Sequence, residues 1–554
     1  MAGELVAGID FGTDTLRVAV YDAVTGQTRL ETSRSYRRWA DGLYCDAREQ
    51  RFRQHPLDHI ECLESCFDDV AEQLGSGSIA ALAVASTGST VAPVDSTGAP
   101  LALLDEFKDE PDAMFWMWKD HTSSAEAAQV DGALSAGPID YTRYQGTYSS
   151  EWWWAKILRA VTTNPSIRQH AASWIEHADW VSNMLAGVDD TSRIVRNACA
   201  AGHKVLYNER LGGLVPAQVL GALDPYLGTL SDAYQTPPAP AGTPVGVLSA
   251  EWAERLQLST DTVVGVGALD AHAGAVGAGV GTGTLVKVLG TSSVDIFVTR
   301  YAEIDGSDMR GVCGIAENSV IPGLLGGEAS QAAFGDLFGW YANLLSWSTE
   351  NVLFPEIAAR IGKTAARDVL DQARGSLLHS LDAQAATRDP SGVLALDWVN
   401  GRRYPHGDDA ARAAIVNLGI GDDAVDVYGA LMEAAILGSK AIYASLVARG
   451  VRFQRLILIG GVADKSPSIC QGMADALDLD VMVSRQSNIC AKGAAIYAAV
   501  AAGCFADVPA AQANWCPPFA ATHRPDPRFV EIYERRFVAY QALGREREHV
   551  RSRS

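Results

Sequence analysis

The 554-residue sequence predicts an α/β protein built from two similar halves. Three observations lead there. Residues 5–20 read as strand, tight polar turn, strand, with Gly12-Thr13-Asp14 at the turn. Residues 286–298 repeat that pattern around Gly290-Thr291-Ser292. The chain also exceeds one typical core, and strands alternate with helices on both sides of a boundary placed near 282, dividing 1–282 from 283–554.

Taken in order, the first hairpin gathers backbone N–H groups and short hydroxyls around one point, the chemistry of a phosphate cradle. Asp10 closes its first strand and can reach a Mg²⁺ on the same phosphates, because hard cations take oxygen ligands. A single Gly-Thr turn is an ordinary β-turn. Two of them, each between apolar strands, point to a duplicated nucleotide-binding fold with ATP between the halves. The first cradle is assigned Gly12, Thr13, Asp14, Thr15 and Arg17, and the second Gly290, Thr291 and Ser292. Neither is a P-loop: no G-x-x-x-x-G-K-[ST] occurs, and no helix opens right after the glycines.

Residues 58–74 carry Ile60, Leu63, Phe67, Val70 and Leu74 at helical spacing, and Gly75-Ser76-Gly77-Ser78 ends that helix. A buried strand over 79–85 runs into Ser86-Thr87-Gly88-Ser89-Thr90, a ligand-type loop at the strand edge where open α/β sheets bind ligands. Residues 104–200, rich in Trp and Tyr, read as an insertion, and 236–244 as a loop. Residues 265–277 are a strand, then Asp270, then a small-residue helix. Asp270 there either caps the helix, worth about 1 kcal/mol, or serves as a general base that takes a proton from a substrate hydroxyl during phosphoryl transfer.

The second half repeats the alternation. A helix over 426–447 is closed by Arg449-Gly450, and a strand over 455–459 ends in Gly460-Gly461, glycines that let backbone approach an adenosine. Ser466-Pro467 supplies an N-cap and a first-turn proline. A strand over 481–483 and a helix over 491–502, closed by Gly503, follow. The charged tail 545–554 reads as a frayed, solvated helix end.

A net charge of −21 disfavours nucleic acid and anionic membranes as partners. The nine cysteines form no C-x-x-C pair, as expected of reduced thiols in the cytoplasm. The N-terminus lacks a basic n-region, so no signal peptide is expected. No apolar run of about 18 residues is evident, so no transmembrane helix is expected. His55 and His59 lack a third ligand at metal spacing and are assigned to the surface or to capping. By itself Lys204 is a surface charge, Glu328 follows Gly326-Gly327 and opens a helix, where an acid is favourable, and Trp116, Trp118 and Trp152–Trp154 are packing more often than sugar platforms.

Gly8-Ile9-Asp10-Phe11-Gly12-Thr13-Asp14, the Asp270 stretch, Leu289-Gly290-Thr291-Ser292 and Ile459-Gly460-Gly461 together resemble the FGGY carbohydrate kinases of the sugar kinase/actin/chaperone ATPase superfamily. Trp118-Lys119-Asp120-His121-Thr122, the stretch 148–158, Ala201-Gly202-His203-Lys204, the stretch 328–336 and Leu396–Arg403 resemble the branch of that family that phosphorylates ribulose. The likeness extends from the first strand to about residue 540. It implies an RNase H-like (actin-like ATPase) fold in each half, an interdomain cleft, Mg²⁺ and ATP, and transfer to the 5-hydroxyl of L-ribulose. The first half is then the sugar-binding domain and the second the adenosine-binding one. Asp270 matches the family's catalytic base. Lys204 and Glu328 match positions that contact the ketopentose, and Ser89 and Thr90 lie on the sugar side. A homodimer is left open. The competing expectations are an FGGY kinase for D-ribulose, D-xylulose or a polyol, and an actin- or chaperone-type ATPase without a sugar substrate.

Overall fold

The apolar runs that open each half become the central strands of two sheets. The computed structural model describes residues 4–234, 236–304, 306–312, 314–484, 488–516 and 519–551. In the first sheet the strands lie in the order Thr28–Ser35, Thr15–Asp22, Leu5–Phe11, Ile79–Ser86, Val263–Gly265 and Pro244–Val247. The first three are antiparallel neighbours, and Ile79–Ser86 runs parallel to strands on both sides. In the second sheet Leu325–Gln331, Ser293–Thr299, Thr284–Leu289, Arg455–Ile459 and Asp480–Val483 repeat that order and polarity, with Gly314–Glu317 and Ala521–His523 added at the edges. The duplication expected from two hairpins is thus a duplication of whole sheets.

Two helices join the halves. Asp270–Ala278 leaves the first sheet, and Ile489–Ala501 comes from the second half and crosses the first sheet. Their small residues make this approach feasible. A Cβ on Gly8 would lie 1.7 Å from the Ala491 carbonyl oxygen, one on Gly493 1.7 Å from that of Ala273, and one on Gly277 2.3 Å from that of Ile489. One buried cluster accordingly runs from Val6 and Ala83 through Ala275 to Ile457 and Ala495.

The first-half insertion folds around its own core, which contains Trp116, Trp153, Trp154 and Trp174. Short strands Arg53–Gln54, Phe115–Trp116, Val91–Val94 and Ser173–Glu176 form a second small sheet beside it. The insertion and the helix that follows it also touch the second half: Gln145 donates through Nε2 to the Ile315 carbonyl at 3.0 Å, and a Cβ on Gly202 would meet the Ala316 methyl at 2.3 Å.

Several local expectations are sharpened or corrected. The helix expected from 58 begins at Pro56 and is capped by His55, whose Nδ1 accepts from the Leu57 amide. His59 is no surface residue; it is buried among Phe11, Tyr36, Phe115 and His177. The helix expected from 426 is Ala424–Val447, because Asp423 and Asp426 form a reciprocal capping box. That helix is also long and apolar enough to cross a membrane, contrary to the expectation from the sequence. Here it is a core helix, packed against the second sheet and neighbouring helices through Leu431, Ala435, Ile442 and Leu446. Pro244, placed in a loop, opens an edge strand, a position that needs no N–H donor. The C-terminal helix continues as Pro527–Arg551; residues 552–554 of the tail lie outside the described residues, as does Cys313.

Candidate active site

Parallel pairing sets three strand ends abreast in the first half. Phe11 lies opposite Ser86, and Ser86 opposite Leu269, so Gly12, Thr87 and Asp270 emerge side by side. The Thr87 amide donates to the Phe11 carbonyl at 3.2 Å and fastens the two turns together. Asp10 is buried in the strand just before its turn. Its Oδ2 accepts from Arg17 at 3.2 Å across the hairpin, where the two residues are direct cross-strand partners. Burial still pushes the Asp10 carboxyl up to about 6. Its Oδ1 is buried without a hydrogen-bond partner among the described residues.

Asp270 is half-buried and is the first residue of its helix rather than the cap. Its Oδ1 accepts from the adjacent Ala271 amide, at 2.6 Å. Burial, then the Asp10 charge, pushes the Asp270 carboxyl up to about 7. Asp270 is therefore not the N-cap of its helix, and its carboxyl is set in an environment that shifts it toward the range of a base working near neutrality.

The first turn is braced from below. The Thr13 carbonyl accepts from Gln54 Nε2 at 2.7 Å, and its hydroxyl from Trp118 Nε1 at 3.1 Å. Asp14 is exposed and accepts from Trp39 Nε1 at 2.7 Å. Gln54 continues through Oε1 to His59 at 3.1 Å, and His59 to His177 at 3.0 Å. Burial holds both imidazoles well below the usual histidine range, so the relay is neutral. Thr15 closes the turn by accepting from the Gly12 amide at 3.0 Å.

In the second half Val288 lies opposite Ile459, which brings Gly460 beside the second turn. A Cβ on Gly460 would lie 2.6 Å from the Leu289 carbonyl oxygen, and one on Gly335 2.5 Å from that of Gly290. Only glycine fits at either place, and Gly460 also has a φ of +100°. Gly290, Thr291 and Gly461 are exposed, and Ser292 and Gly460 half-buried. The two assigned nucleotide-contact groups of this half are therefore neighbours. They meet the first half through the Asp270 helix: a Cβ on Gly274, one turn beyond Asp270, would lie 3.8 Å from Ile459 Cδ1 and 3.1 Å from Cys490 Sγ.

Lys204 and Glu328 are brought together from opposite halves, Glu328 from within the strand Leu325–Gln331 and not from a helix start as expected. Lys204, in the last turn of Ala198–Val205, donates to both Glu328 oxygens at 3.0 and 3.1 Å. Although burial alone would raise it, the Glu328 carboxyl is held down at about 2 by Lys204 and two nearby imidazoles. His272 Nε2 lies 3.5 Å from Glu328, and His203 Nδ1 4.0 Å. His203, His272 and Glu328 could offer ligand atoms within 4.8 Å of one another, and the Lys204 ammonium is bonded to both carboxylate oxygens of that group. Trp152 faces this end, its ring 5.4 Å from Lys204 Nζ, while Trp153 and Trp154 are buried packing.

Ser89 and Thr90 are placed differently from the expectation of open hydroxyls. Both are buried. The Ser89 hydroxyl donates to Glu176, and that of Thr90 pairs with Thr87 at 3.0 Å. Gly88, packed on Leu269, is the half-buried member of this loop. The sequence reading missed Glu176, Lys156 and His272. Glu176 and Lys156 lie 87 and 67 positions from Ser89, a separation no local spacing reveals.

Comparison with known proteins places these features in a family. Residues 285–502 match the model of the FGGY family of carbohydrate kinases, C-terminal domain. The chain is 37% identical over 552 residues to a ribulokinase of Vibrio parahaemolyticus, covering 98% of this chain and 96% of that one. It is 30% identical over 560 residues to a ribulokinase of Halalkalibacterium halodurans, covering 98% and 95%. Its fold is similar to the crystal structure of xylulose kinase from Rhodospirillum rubrum, with a TM-score of 0.76 at 19% identity over 98% of each chain. The two-domain, actin-like ATPase architecture expected from the sequence is the one observed.

Proposed function

The chain belongs to the FGGY family of carbohydrate kinases, and on that premise we propose that it transfers the γ-phosphoryl group of ATP to the 5-hydroxyl of L-ribulose. The observation that carries this reading is the convergence on Asp270 of the Asp10 charge and of the Lys204–Glu328 pair that joins the two halves.

Residues 1–282 act as the sugar-binding domain and 283–554 as the adenosine-binding domain. ATP lies across both, its phosphates against Gly12, Thr13, Asp14, Thr15 and Arg17 and against Gly290, Thr291 and Ser292, with adenosine at Gly460-Gly461. The unpartnered Oδ1 of Asp10 suits a hard cation, so Asp10 would hold Mg²⁺. When bound, that ion neutralises charge on the phosphates. Lys204 and Glu328 orient the ketopentose through its oxygens, and the backbone around Gly88 walls the pocket. Asp270 accepts the proton of the attacking hydroxyl, a role its upward shift to about 7 suits. Closure of the halves over the two substrates would keep competing water from the transferred group.

A coupled ADP-release assay across L- and D-ribulose, L- and D-xylulose, ribitol, arabitol and glycerol tests the proposal. Strong stimulation by L-ribulose is the expected result. Equal or stronger stimulation by another acceptor reassigns the substrate, and ATP turnover indifferent to every acceptor refutes sugar kinase chemistry.

A further inference from the structure

Behind Ser89 and Thr90 lie two oppositely charged side chains buried within the insertion. Lys156, on the helix Trp153–Thr163, is fully buried. Its ammonium donates to three carbonyl oxygens: Ser89 at 2.7 Å, Met117 at 2.8 Å and Trp116 at 3.3 Å. An ammonium has three N–H donors, so this set satisfies it fully. Glu176 ends the strand Ser173–Glu176 and is 2% exposed. It accepts from the Ser89 hydroxyl and, at 3.0 Å, from the Thr90 amide. The next residue, His177, donates its amide to the Thr90 carbonyl at 2.8 Å.

Burying two charges is costly, and carbonyls or a hydroxyl are more cheaply satisfied by neutral groups. Burial pulls the Lys156 ammonium down and pushes the Glu176 carboxyl up, while their mutual attraction opposes both shifts. Such a pair is justified where geometry matters. The loop it grips begins beside Asp270, through Ser86 opposite Leu269 and Gly88 packed on Leu269. Its other anchor, Trp116 and Met117, leads directly into Trp118, which is bonded to Thr13 of the first turn.

We propose that Lys156 and Glu176 are positioning residues of the acceptor pocket: they fix the loop 87–90 against the Trp116–Trp118 wall and so set where the sugar lies relative to Asp270. Neither touches substrate. This rests on the reading of the cleft as a sugar-kinase site, with the acceptor on the side of Gly88.

Steady-state kinetics of the full chain test it. Wild-type protein is first run with each acceptor, and inactivity toward all of them overturns the cleft reading and this inference with it. On the active acceptor, Lys156→Met and Glu176→Gln are each expected to raise the acceptor KM about 10-fold or more, in line with the loss of charge-assisted hydrogen bonds, while the KM for ATP stays within about 3-fold. The double variant Lys156→Met/Glu176→Gln, which leaves no lone buried charge, is expected to be no worse than the poorer single variant. Glu176→Gln preserves size and carries the test if Lys156→Met does not fold. An unchanged acceptor KM in the folded variants overturns the inference. So does an equal rise in both KM values, which would mark the pair as general scaffold.

Discussion

Lys204 and Glu328 stand 124 positions apart and belong to different halves, yet the Lys204 ammonium bonds both Glu328 oxygens at 3.0 and 3.1 Å. The pair is mostly buried, with the lysine side chain 5% and the glutamate 23% exposed. Each is thus the other's principal counter-charge, and removal of one leaves a poorly solvated charge behind.

From this pairing, Lys204→Ala or Glu328→Ala is expected to raise the ketopentose KM by about 10–150-fold, the worth of a charge-assisted hydrogen bond. The double variant Lys204→Ala/Glu328→Ala is expected to cost less than the sum of the single changes, because it removes both charges together. A double-mutant cycle on acceptor kcat/KM measures this; strict additivity would show that the two do not act as a pair.

Asp270 must be ionised to accept a proton, and its carboxyl is pushed up to about 7 by burial and by Asp10. Acceptor kcat/KM should therefore be low below that pH, rise through it as the base form accumulates, and level off above. Asp270→Asn is expected to lower kcat by about 10²–10⁴-fold with ATP binding retained, and to lose that limb of the profile. A pH–rate series on both proteins checks it. An Asn variant with wild-type turnover removes Asp270 from the mechanism.

The helix Ile489–Ala501 depends on glycine where it meets Asp270–Ala278. Gly493→Ala places a methyl 1.7 Å from the Ala273 carbonyl oxygen. Backbone there cannot yield as a side-chain tip would, so the variant is expected to lose about 1–3 kcal/mol or more. Thermal or urea unfolding measures it, and an unchanged transition would mean the two helices are farther apart than described.

The sequence disclosed those features of the candidate site that are local turns and strand ends. Both hairpins, the Ser86–Thr90 turn, Asp270 and the Gly460-Gly461 turn sit at strand ends, where alternating apolar residues stop and small polar ones begin. The Ser466 cap and the strand Arg455–Ile459 were readable for the same reason. What could not be read was set by packing between distant segments. The crossing of Ile489–Ala501 over the first sheet leaves only small residues as its trace, and Ala- and Gly-rich helices occur for many reasons. Ser89 looked like a ligand hydroxyl because its partner Glu176 lies far along the chain. His59 looked like a surface residue because the aromatic shell that buries it comes from four separate segments. Ala424–Val447 hid its membrane-like apolarity behind scattered polar residues, and its burial became evident only from the helices around it.

Closure of the cleft is expected on binding of sugar and nucleotide. The first half is already fastened to the second through Gln145 and Gly202, so motion should open and close the side of the two turns, with the pivot near residues 258–284. Small-angle scattering with L-ribulose and a non-hydrolysable ATP analogue should give a smaller radius of gyration than the free protein. A radius unchanged at saturation indicates a cleft that is closed beforehand.

The central claim is that ATP and a ketopentose react within this cleft under the control of Asp270. Its most direct measurement is ³¹P and ¹³C NMR of the product made from ATP and L-ribulose by the wild type and by Asp270→Asn. The account predicts one phosphorylated sugar per ADP, with phosphorus coupled to C5, and its near-absence with the variant. Free phosphate accumulating in place of a sugar phosphate, or the same product formed at the same rate by Asp270→Asn, would contradict it.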